Sequence, residues 1–196
     1  MSGLGQDYED LLRFWIDEVG PEGWYKSDPE LDAKITKDYQ DYWHRARDGD
    51  CMGWTSNPRG MLALLILLDQ FPRNMFRNQP DAFASDRRAV TIAKKAISLG
   101  WDLRIEEPVR QFFYLPLMHS ECLEDQERCV RLVRERMQET GNDNLLHAKA
   151  HREVIRRFGR FPTRNEQLGR RHSAPEDHFL SDGGYGAVVN ALRASA

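Results

Sequence analysis

A chain of 196 residues and 22.8 kDa is long enough to bury a sizeable core as one domain. Hydrophobic content of 40% with 30% charged residues excludes a disordered or fibrous protein. A formal net charge of -3 and a pI near 6.1 exclude a general attraction to nucleic acid or anionic membranes.

Tyr8, Leu11, Leu12, Trp15, Ile16 and Val19 mark one face of an amphipathic helix that Gly20-Pro21 ends. Trp24 and Tyr25 follow in a loop and are expected to fold back onto the core. Ser27-Asp28-Pro29-Glu30 reads as a capping box, opening a helix whose stripe is Leu31, Ile35, Tyr39, Trp43 and Ala46. Cys51, Cys122 and Cys129 have the spacing of neither a zinc motif nor a redox pair, and read as reduced, partly buried small hydrophobes.

Asn57 is a good N-cap, with Pro58 at the first helical position. The unbroken apolar run Met61 to Leu68 is too short to span a bilayer. It predicts a helix apolar all round, which other helices must cover. Pro72 is expected to stop it by removing a donor and displacing Phe71 from helical angles. Asp81 or Ser85 can cap the next helix, with stripe Ala89, Ile92, Ala93, Ala96 and Ile97 and Gly100 beyond its end. Pro108 opens a helix through Leu115 that Pro116 kinks or ends. Ser120 can cap a helix carrying Leu123, Val130, Val133 and Met137. Another runs from Asn142 to Phe158 and stops at Gly159. Ser173-Ala174-Pro175-Glu176 is a second capping box, opening a short helix to Leu180.

No run alternates with period two over enough residues to make a strand, so the expected class is all-α with about eight helices. The expected organisation is a single domain over residues 1–182, with 183–196 a loosely attached tail. The N-terminus, MSGLGQDYED, lacks the pattern of a signal peptide, so a cytoplasmic protein is expected.

Three polar segments follow or occupy apolar helices and are candidates to converge in one groove: Asp69-Gln70 with Arg73, Asn74 and Arg77; His119-Ser120-Glu121 with Gln126; and His151 with Arg157, Arg160, Arg164 and Asn165. Guanidinium forks and amides suit a carboxylate or phosphate. The structural alternative is that Asp69 and Glu121 pair with Arg73, Arg160 or Arg164 and fasten helix ends. His119 and Glu121 invite an acid–base reading if an irregular turn after Pro116 points both into one cleft. His147 and His151 have the i, i+4 spacing of a two-His metal site but lack the Glu of HExxH, and no metal is expected. Glycine-rich nucleotide loops and a GxSxG elbow do not occur, so no cofactor is expected.

These segments also carry a resemblance. LLDQFPRNMFR, FYLPLMHSECLEDQER and HREVIRRFGRFPTRNEQLGR, with the earlier FWIDEVGPEGWYKSDPELDAKI, resemble the bacterial DUF924 family from about Leu11 to Leu180. The resemblance implies a tetratricopeptide-like, right-handed all-α superhelix and a set of motif positions, but no reaction. Those positions are Asp69, Gln70, Arg73, Asn74, Arg77, His119, Glu121, Gln126, His151, Arg160, Arg164 and Asn165. Leu117 stands where the family commonly has Phe, and Thr163 where it often has His.

The leading expectation is a protein that binds a small anionic molecule or an acidic peptide terminus. Arg73, Arg77, Arg160 and Arg164 would clamp the anion, and Asn74 and Asn165 would orient it. An enzyme using His119 and Glu121, and a protein-interaction scaffold, are the rival readings. Neither a membrane nor a nucleic acid is an expected partner, and the sequence leaves the oligomeric state open.

Overall fold

The apolar run after Asn57 forms the axis of the first half of the chain. In the computed structural model, which describes residues 4–50 and 52–195, all regular structure is helical. Cys51 lies outside the described residues. The chain packs as two units, Met1–Pro116 and Leu117–Ala196.

In the first unit, α1 (Leu4–Leu12) continues into a wider π-helical stretch, Arg13–Val19. The long helix α2 (Pro29–Asp48) follows, then α3 (Pro58–Leu65), a π-helical stretch (Ile66–Gln70), α4 (Phe71–Met75) and α5 (Asp86–Ser98). Met61 through Gln70 are all buried, as an all-round apolar helix requires. The α1 segment brings Leu11, Leu12 and Trp15 to this rod, α2 brings Ile35, Trp43 and Ala46, and α5 brings Ala89, Ala93 and Ala96. Phe71 is fully buried among aromatic rings, with Trp15 at 5.3 Å and Tyr39 at 5.0 Å between centroids. Trp24 folds back as expected and donates to the Trp15 carbonyl at 2.8 Å, whereas Tyr25 is exposed.

Asn57 caps α3 by accepting the Gly60 N–H at 2.9 Å. Glycine is required at position 60 because a Cβ there would lie 2.4 Å from the Trp54 carbonyl oxygen. At α2 the cap is Asp28, not the Ser27 expected from the capping-box pattern, and it accepts from both Glu30 and Leu31.

Pro72 does not stop the rod. The helical backbone passes through it by widening to the π form over the preceding turn. In a regular helix the N–H at position 72 would serve the Leu68 carbonyl, and proline has none. That carbonyl accepts instead from the Ser85 hydroxyl at 2.6 Å, and the Ser85 hydroxyl oxygen in turn accepts the Trp43 indole N–H at 2.9 Å. Ser85→Ala is therefore expected to lower stability by about 1–3 kcal/mol, since it orphans a buried donor and a buried acceptor together. Urea denaturation measures this, and a loss below about 0.5 kcal/mol, within the range of ordinary surface changes, would show that the relay is dispensable.

The segment after Pro108 is a tight 3-10 turn, Val109–Phe113, followed by one α-turn, Leu115–Met118, rather than a full helix. In the second unit, α6 (Leu123–Arg136) packs on α7 (Asn142–Phe158), with α8 (Ala174–Ser181) and α9 (Gly184–Ala194) completing it. Ser120 does not cap α6, which starts after Cys122. Its hydroxyl accepts from the Cys122 N–H at 3.2 Å and donates to Asp125 at 2.9 Å. Gly159 ends α7 in the left-handed region with φ 68°, and the Ser173–Glu176 capping box forms as read. Cys129 is buried as expected, but Cys122 is exposed. The expectation of a loose tail is corrected. Residues 184–194 form α9, which buries Val188 and Val189 against Ala150, Val154, Ile155 and Phe161.

Candidate functional site

In the first unit, the polar end of the rod is occupied by carboxylates from its neighbours. Arg73 pairs with Asp69 one turn back at 3.3 Å and makes a two-oxygen contact to Asp86 of α5 at 3.0 and 3.2 Å. Burial opposes the charge on Arg73, but Asp69 and Asp86 more than offset it and raise its pKa. Asn74 donates to Asp32 of α2 at 2.8 Å and accepts from Gln70 at 3.0 Å. Arg77 closes on the same Asp32 with Nε and with a second nitrogen at 3.0 Å. Asp69, Gln70, Arg73, Asn74 and Arg77 thus fasten the rod to α2 and α5.

In the second unit, the two remaining polar segments come together. Glu121 accepts the Phe161 N–H at 2.8 Å and both terminal nitrogens of Arg170, at 2.7 and 2.9 Å. Burial raises its pKa, and Arg170 with the Phe161 N–H outweighs burial and lowers it. The carboxylate partner is Arg170, which the sequence reading did not single out, rather than Arg160 or Arg164. Arg164 donates to the His119 carbonyl at 3.0 Å and lies over the Phe161 ring. Arg160 forks onto buried Glu176 at 2.6 and 2.7 Å, and Ser173 adds its N–H and hydroxyl to the same carboxylate. The Arg160 and Ser173 bonds hold Glu176 well below the usual carboxylate range. Asn165 accepts from Arg170 at 2.9 Å, and Gln126 donates to the Met118 and Ser120 carbonyls.

His151 lies with Nδ1 2.9 Å from the His147 carbonyl, which can only accept, so Nδ1 carries the proton. Tyr185 of α9 lies 3.0 Å from the same nitrogen and 2.6 Å from Nδ1 of His147. The His119 ring centre is 6.1 Å away. Burial, then the neighbouring His119, pushes the His151 pKa down to about 3, so it is neutral at physiological pH.

A different set of cations faces open volume. A cleft of about 480 Å³ in the first unit is rimmed by Arg47 from the last turn of α2 and by Arg87, Arg88 and Lys95 of α5. Thr55, Thr91, Ala84 and Ile92 line its walls. Arg47 stacks over Trp43 at 5.0 Å and touches exposed Asp48 at 3.1 Å. The Arg88 guanidinium lies beside Gly49, where an added Cβ would be 3.5 Å from it. Its Nε is buried without a hydrogen-bond partner among the described residues. No carboxylate among the described residues lines this cleft. The sequence held the signal: Arg87, Thr91 and Lys95 recur at i, i+4 and i+8 on the helix whose apolar stripe was read. A second cleft, of about 400 Å³ in the second unit, is walled chiefly by Phe158, Phe179, Val188 and Pro175.

Comparison with known proteins places the fold. A protein of unknown function from Agrobacterium tumefaciens, of known structure, is 35% identical over 92% of this chain and 99% of its own, with a TM-score of 0.86. Comparison with the curated proteins finds no match. The family model for bacterial proteins of unknown function, DUF924, matches residues 11–184. The chain belongs to the DUF924 family.

Proposed function

We propose that the protein binds a small anionic ligand, and that the site is the cleft rimmed by Arg47, Arg87, Arg88 and Lys95. The observation that carries this reading is the lining itself: four cations on one concave surface, with no lining carboxylate among the described residues. Arg73, Arg77 and Arg160, the arginines first suspected, each spend their forks on Asp86, Asp32 and Glu176. The acid–base alternative draws less support, because Glu121 is held by Arg170 and the Phe161 N–H. A cytoplasmic location is part of the proposal. No helix among the described residues is long and apolar enough to cross a membrane.

A thermal-shift series with phosphate, pyrophosphate and citrate tests the reading on wild type, Arg87→Glu and Arg131→Glu. Arg87 and Arg131 are both exposed, and Arg131, on α6, is not one of the cleft-lining residues, so the second variant repeats the charge change without altering the lining. A ligand at 100 times its Kd adds about 2.7 kcal/mol to stability. Stabilisation is expected in wild type and Arg131→Glu and should be lost in Arg87→Glu. Equal shifts in both variants, or none with any anion, would overturn the site.

A further inference from the structure

The cleft has two kinds of wall, and together they specify more than negative charge. We infer that its ligand is an organic phosphate monoester, its phosphate held by the guanidinium groups and its carbon body lying against Ala84 and Ile92. This rests on the anion-binding reading above.

The charge count favours phosphate over carboxylate. A phosphomonoester carries about two negative charges at neutral pH and three acceptor oxygens, which planar guanidinium groups meet in pairs. Arg47, Arg87 and Arg88 supply three such groups and Lys95 a point charge, more than a single carboxylate offsets. The position of two of them sharpens the point. Arg87 and Arg88 stand in the first turn of α5, where the helix dipole disfavours cations. A bound anion offsets the unfavourable placement of both arginines.

The size and the apolar wall argue against bare inorganic phosphate. About 480 Å³ lies within the roughly 300–1,000 Å³ typical of pockets for organic small molecules. Ile92 and Ala84 present carbon, not donors, to that space. Thr91 spends its hydroxyl proton on the Arg87 carbonyl at 3.0 Å, which leaves its oxygen lone pairs for a hydroxyl or N–H of the ligand body.

Calorimetric titration of the full chain at fixed ionic strength separates the possibilities, using inorganic phosphate, hexyl phosphate and hexanoate as probes. Hexyl phosphate is expected to bind at least tenfold more tightly than either of the others. Arg88→Gln, checked for an unchanged melting temperature without probe, should weaken it at least tenfold. If hexanoate matches hexyl phosphate, the phosphate class is wrong while the anion site stands. If inorganic phosphate matches it, the carbon body is wrong. If none of the three binds, the inference and the reading beneath it both fail.

Discussion

Arg73→Ala is expected to lower the unfolding free energy by about 3–5 kcal/mol, the cost of leaving a buried charge without its partner. The Asp69 side chain is only 3% exposed, and Asp86 is 16% exposed on the other side of the guanidinium. Removing the arginine leaves the two carboxylates facing each other in a poorly solvated site. For a chain of this size that loss lowers the melting temperature by roughly 6–20 °C. Arg73→Ala with Asp86→Asn should recover part of it, because one of the stranded charges is then gone. A single-variant loss under about 1 kcal/mol would place the pair with ordinary surface ion pairs, and Arg73 would then be free to serve a ligand. The measurement also guards against a false positive, since a ligand effect lost in Arg73→Ala would report unfolding as readily as a missing contact.

The second large effect is on pH dependence. His151 is neutral in the folded chain down to about pH 3, against an ordinary value of 6.5. Below 6.5 the unfolded chain takes up a proton that the folded chain refuses, so stability present above pH 6.5 drains away as pH falls toward 3. Between pH 7 and pH 5, chemical denaturation of wild type should lose on the order of 2 kcal/mol more than His151→Gln, at about 1.4 kcal/mol for each unit of difference. The titratable and charged groups facing the imidazole are His119, His147 and Arg164, and the Tyr185 hydroxyl lies against the same Nδ1 as the His147 carbonyl. Glu121, held low chiefly by Arg170, adds a loss of the same sign beneath its ordinary 4.5, so the comparison stops at pH 5. Parallel pH profiles for the two proteins would show that His151 titrates freely.

What could be read from the chain was what its neighbours decide. Asn57 meets Gly60 three residues on, Ser173 meets Glu176 at the same spacing, and Gly159 ends its helix by its own backbone freedom. The apolar run from Met61 announced its burial because no other environment suits it. The polar residues were found, but their roles were set by partners that sequence spacing does not reveal. Arg77 meets Asp32 from 45 residues away, and Glu121 meets Arg170 from 49. The cationic cleft was missed for another reason. The helical period of Asp86–Ser98 was read for its carbon-bearing face, while Arg87, Thr91 and Lys95 follow the same period on another face.

The hydroxyl that completes the Leu68 carbonyl comes from Ser85, 17 residues downstream. A peptide ending at Arg77 holds the whole apolar rod and still lacks that bond. On the ribosome, the turn around Pro72 can be completed only after Ser85 has left the exit tunnel and reached Trp43, already made. The proline therefore sets an order of assembly: the central helix of this unit is finished by the segment that follows it.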